Sequence, residues 1–232
     1  MTPSGPIYCE TGHPWLFMAE PVNTVTNAFI IIAALFALAQ VRRARVGCPP
    51  DLVVLLFLLF ATGIGSFFWH GFRTRLALAF DALPGLLFLF IFAGVWICAL
   101  YGRWAGLAGA LALIGAAFGS LVLGRHYLSG LAGMPPAIFL VPAYVTISIV
   151  GAALALATAR RHGTAIARLG GIAVLCGVIA AACRSIDLLM CRIVPFGTHF
   201  LWHILLSLAA YLGIVMLVRL KQATAHAPKS NA

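Results

Sequence analysis

The sequence predicts an all-α polytopic membrane protein with seven transmembrane helices, its N-terminus outside and its C-terminus inside. Three observations carry that expectation. Of 232 residues, 63% are hydrophobic and 9% charged, with a mean hydropathy of +1.07, more apolar surface than a soluble domain of this size can hide. Uncharged runs recur along the whole chain, each roughly the twenty residues that cross a bilayer core. None alternates every second residue, as the strands of a membrane barrel do.

Residues 1–22 lack the basic start and short apolar core of a secretory signal. They read as an extracytoplasmic segment carrying Cys9, Glu10 and Glu20. The spans follow at 23–41, 52–69, 78–100, 105–123, 135–157, 168–186 and 198–218, and 220–232 form a cytoplasmic tail. The second span opens after Pro49-Pro50, with Asp51 as its N-cap. Residues 23–219 thus make one transmembrane domain, with no soluble domain and no fixed-period repeat. Net charge is +10, from 15 Lys and Arg against 5 Asp and Glu. That charge does not indicate nucleic acid, because the basic residues gather in short loops between spans, as membrane anchoring requires.

Orientation follows from those loops. With the N-terminus outside, the inner side receives Arg42, Arg43, Arg45, Arg103, Arg160, Arg161, Arg168, Arg219, Lys221 and Lys229; Arg73, Arg75, Arg125, Arg184 and Arg192 fall outside, a bias of ten against five. Short loops and Ala-rich spans point to a bacterial inner membrane, or to ER or Golgi in a eukaryote.

Chemistry concentrates in two stretches. Ser66 and His70 are four apart and share a helix face, and Asp81 sits just inside the next span. His199 and His203 repeat the i, i+4 spacing at the start of the seventh. Ionisable groups at membrane depth default to a functional reading. In the N-out orientation all five lie at similar depth in the outer leaflet. Three imidazoles with an open fourth position are the ligands of a catalytic zinc. Asp81 is placed to take a proton from water and pass it to a leaving group, and Ser66 to hydrogen-bond an oxyanion. Gly63, Gly65 and Ser66 also suit close packing of spans. His13, His126, His162 and His226 receive no role.

Cys98, Cys176 and Cys183 lie within spans and Cys48 in an inner loop, as buried apolar residues do. Cys9 and Cys191 share the outer face, where an oxidising compartment allows a bridge, but spacing does not fix connectivity. Arg184 and Asp187 close the sixth span and are expected to pair at the interface. Trp15, Tyr101, Trp104, Tyr127 and Trp202 suit an aromatic belt. Other classes share the same parts: a haem or electron-transfer protein, a serine protease using Ser66 with His70, and a receptor with structural zinc.

As a set, these residues resemble the alkaline ceramidases, within a superfamily of seven-span hydrolases that includes the adiponectin-receptor-like proteins. Ser66, His70, Asp81 and Leu83-Pro84 match one motif; His199, Trp202, His203 and Tyr211 match another. Cys9, Glu10, Glu20, Asn23, Thr24, Val25 and Asn27 match the N-terminal pattern, and Ile186-Asp187 with Cys191 a fourth. The resemblance implies hydrolysis of the ceramide amide to sphingoid base and fatty acid. It assigns zinc to His70, His199 and His203, catalysis to Asp81 and Ser66, a bridge to Cys9 and Cys191, and a substrate pocket to Trp202 and Tyr211. Ala82 replaces a family Glu. The family's calcium site maps onto Glu10 and Glu20, but Ile7 and Gly12 stand where it takes further oxygens. Two carboxylates are few for an ion that wants six to eight oxygens.

Overall fold

A computed structural model describes residues 7–12, 18–44, 49–128 and 134–225. His13, Trp15, Arg45, Cys48, His226 and Lys229, and with them half of the N-terminal segment and the end of the tail, lie outside the described residues. The helices are α1 (Pro21–Thr26), α2 (Ala28–Arg43), α3 (Pro50–Phe72), α4 (Arg75–Tyr101), α5 (Arg103–Leu128), α6 (Val141–His162), α7 (Thr164–Met190) and α8 (His199–Ala225), with a 3₁₀ turn at Pro136–Leu140. No strand occurs among the described residues. Among the described residues seven segments are long and apolar enough to cross a membrane, α1 and α2 together making the first.

Several helices outrun the hydrophobic windows read from the sequence. Hydropathy marks the hydrocarbon layer, whereas a helix continues until the backbone breaks. α4 and α6 stop at Gly102 and Gly163, whose positive φ angles of 93° and 87° suit glycine. Asp51 is not the N-cap of α3. Pro49 holds that position, and Asp51 lies in the first turn, where its carboxylate accepts from the Leu52 N–H at 2.9 Å and from Lys221 at 2.6 Å. Between α1 and α2 the chain keeps its direction but loses helical regularity. There the Thr26 hydroxyl and the Asn27 amide donate to main-chain carbonyls of the preceding turn and compete with the helix ladder.

The interior divides by height. At the end where α2 finishes and α3 begins, Ala37, Val41, Leu52, Leu55, Trp96, Leu100, Leu217 and Leu220 form an apolar core. At the opposite end the buried residues are polar: Glu10, Glu20, Asn23, Thr26, Ser66, His70, Asp187, His199 and His203. Large apolar side chains such as Phe36, Phe57, Leu76, Phe118 and Ile149 face outward, as lipid contact requires. α8 runs beside α7 and α2 and also touches α1, α3 and α4, so its first turns are walled in by other elements.

Candidate metal centre

Two helix ends build the centre. α3 brings His70 into its last turn, while α8 begins at His199 and places His203 one turn further on the same face. Asp187, at the end of α7, fixes that start: its carboxylate accepts the N–H groups of Thr198 at 2.6 Å and His199 at 2.8 Å, donors that the start of a helix leaves without a partner in the helix itself. The same carboxylate accepts from the Cys9 N–H at 2.9 Å. Gly197 makes this possible, since its φ is +68° and a side chain there would collide with Asp187 and Cys9. Cys9 is joined to Cys191 by a disulfide. The expected Arg184–Asp187 pair does not form, because Asp187 is engaged by main-chain donors.

The three histidines are 1–2% exposed, and their donor atoms all lie within 4.8 Å of one another. Each is aimed from behind. His70 Nδ1 lies 2.5 Å from the Glu20 carboxylate, which is also 3.0 Å from Arg73. His203 Nδ1 lies 2.9 Å from the Thr26 hydroxyl; that hydroxyl donates to main-chain carbonyls, so it accepts from the imidazole. Both rings therefore carry the proton on Nδ1 and leave Nε2 as the ligand atom. His199 differs. Tyr8 stacks on it at 4.0 Å, and Arg184 Nη1 faces its Nδ1 at 3.4 Å.

Arg73 holds its place by unusual means. It caps α3 in the left-handed conformation (φ 55°, ψ 32°), which costs a non-glycine residue about 1–2 kcal/mol. That turn lays its guanidinium over the Trp69 ring at 4.0 Å and near Tyr8 at 5.3 Å. Burial pushes the Glu20 carboxyl up to about 7, against the pull of Arg73 and Asn23.

Asp81 is brought to Ser66 by a close helix contact. Pro84 inside α4 has no N–H to give the Phe80 carbonyl four residues back. α3 passes that carbonyl at Gly65, where a side chain would collide with Phe80 O and Asp81 N. The neighbouring Ser66 then faces the Asp81 carboxylate, one turn from His70.

Of the residues singled out in the sequence, His70, His199 and His203 converge, Ser66 meets Asp81, and Cys9 meets Cys191. Trp202 is half-buried beside Tyr144, with 5.6 Å between ring centroids. Tyr211 lies two turns beyond His203, about 12 Å along the axis, against Gln40 and Phe36. Glu10 and Glu20 have partners within the protein. Glu10 accepts the Val22 and Asn23 N–H groups at 2.5 and 2.8 Å, and burial raises its carboxyl above the usual range in spite of them. Thr26, Tyr8, Tyr144 and the site role of Arg184 were not foreseen. Only Arg184 offered a signal, as a cation within a span.

The donor set fits a borderline-soft divalent ion: nitrogen ligands, two with fixed tautomers, on buried side chains. Ring centroids stand 4.7–5.1 Å apart pairwise, too close to admit the plane of a macrocycle. Fold and site together define a seven-span helical membrane protein with a buried three-histidine centre. A search of curated proteins finds no match. The Ceramidase family model matches residues 4–231, nearly the whole chain, and the protein belongs to that family. Membership makes it a hydrolase of amide bonds with a ceramide-type lipid as substrate class.

Proposed function

We propose that the protein is a zinc-dependent ceramidase that cleaves the amide of ceramide, or of a related long-chain N-acyl lipid, to sphingoid base and fatty acid. The observation that carries this reading is the convergence of His70, His199 and His203 within 4.8 Å, next to a Ser66–Asp81 pair. Zinc bound by the three imidazoles supplies an acidified water and a polarised carbonyl. Asp81 accepts the water proton and delivers it to the leaving nitrogen. Ser66 orients Asp81 and stands one turn from His70, within the region where the oxyanion develops. Trp202 borders the substrate, and Tyr211 is placed deeper, toward the chains.

The N-terminus faces outside and the C-terminus inside, which sets the centre in the outer leaflet at the depth of a ceramide amide. Residues 1–22 are then an extracytoplasmic segment, 23–219 the catalytic domain and 220–232 a cytoplasmic tail. In a bacterial inner membrane the disulfide lies on the periplasmic face. Hydrolysis of a panel of N-acyl lipids by purified protein, with elemental analysis for zinc, tests the reading. Turnover that survives both chelation and His203→Ala sinks it.

A further inference from the structure

Arg184 lies within α7, where a cation is costly unless an anion meets it. Among the described residues no carboxylate forms an ion pair with it. Its neighbours are neutral instead. Nε donates to the Tyr144 hydroxyl at 3.2 Å and Nη1 to the Tyr8 hydroxyl at 3.0 Å. The rings of Tyr8 and Trp202 lie 5.4 and 5.5 Å from its central carbon. Hydroxyls and ring faces orient a guanidinium without cancelling its charge. The bond to His199 is the longest of the set at 3.4 Å, near the limit for a hydrogen bond. It also sets a donor against the ring nitrogen that carries a proton whenever Nε2 serves as ligand. Nη2 has no acceptor among the described residues. A fixed positive charge without a directly paired carboxylate thus borders the metal centre, with Glu20 and Asp81 within electrostatic reach and donors to spare.

We propose that Arg184 is the carboxylate-recognition residue of the site: it binds the acyl oxygen that becomes anionic during amide cleavage and then holds the fatty carboxylate. The proposal rests on the amidohydrolase reading above. In that reaction the water oxygen bonds to the acyl carbon and the C–N bond breaks. Both water protons end on nitrogen, leaving a carboxylate and an ammonium. Negative charge therefore appears on the acyl half alone. A guanidinium attracts that half and repels the amine, and its planar fork matches two carboxylate oxygens.

Binding rather than turnover tests this. A fluorescent fatty acid is displaced from purified protein by palmitate or by palmitamide, with metal content matched among wild type, Arg184→Gln and Arg184→Lys. Wild type should favour palmitate by about tenfold or more, as expected for a charge-assisted bond. Arg184→Gln should lower that ratio several-fold, leaving the preference that the bound metal itself has for a carboxylate, and Arg184→Lys should keep part of the difference, since lysine retains charge without the fork. A ratio in Arg184→Gln equal to that of wild type overturns the proposal. Should that variant not fold, Arg184→Lys decides: a ratio reduced several-fold supports the assignment, and an unchanged ratio overturns it. Failure of wild type to hydrolyse any N-acyl lipid strikes the amidohydrolase reading and leaves this ratio as a separate result.

Discussion

A histidine meets a metal through one ring nitrogen and is aimed by the other, so the residues behind His70 and His203 matter as much as the rings themselves. Glu20 fixes His70 and Thr26 fixes His203. Glu20→Gln should weaken metal binding about 10- to 100-fold, measured by competition with a chelator. Thr26→Val, which removes the acceptor behind a neutral ring, should have a smaller effect in the same direction. Asp81 belongs to a different group. Asp81→Asn should lower kcat by about 10²- to 10⁴-fold with metal content unchanged; a variant that loses metal in parallel would make Asp81 part of the ligand shell instead. The i, i+4 spacing of His199 and His203 was legible because one helix fixes it. Thr26 was not, because its partner lies 177 residues away.

Between elements, two glycines decide the geometry. Gly65 lets α3 close onto the Phe80 carbonyl that Pro84 leaves without a donor, and this contact delivers Asp81 to Ser66. Gly65→Ala should separate the helices there and depress turnover sharply while the histidines still retain metal. A variant with full activity would show that the close approach is not required. Gly197 acts on α8. Its left-handed backbone lets Asp187 reach the Thr198 and His199 N–H groups and leaves room for Cys9. Gly197→Ala should lower Tm, by the roughly 1–2 kcal/mol of an unfavourable left-handed residue and the clash with Asp187 in addition. Hydropathy marked both helices, but a small residue within a span, such as Gly65, also serves ordinary packing, and Gly197 lies in the loop before α8, so the sequence did not say that either was indispensable.

At the scale of the molecule, an apolar core closes one end of the bundle and a polar chamber fills the other. The chamber is roofed by the N-terminal segment, whose Ala19 and Glu20 N–H groups donate to Gly71 and His70 carbonyls. The Cys9–Cys191 bridge ties that segment to the α7–α8 loop across a separation of 182 residues. Reduction of the bridge, or Cys9→Ser, should lower Tm and loosen the roof, so that chelators strip the metal faster. Equal stripping rates for oxidised and reduced protein would show that the bridge does not guard the centre.

Composition and run length alone fixed a seven-span helical bundle, because hydrocarbon leaves a chain no other way to satisfy its backbone over twenty residues. The same argument drew attention to each imidazole and to Asp81, since polar groups at that depth are costly and rarely idle. Only tertiary structure decided that Glu20 stands behind His70, that Asp187 caps α8 rather than pairing with Arg184, and that Arg184 turns toward the centre. Each of these turns on a contact between segments distant in the chain, and such contacts depend on how helices are packed and capped, which hydropathy and local spacing do not encode.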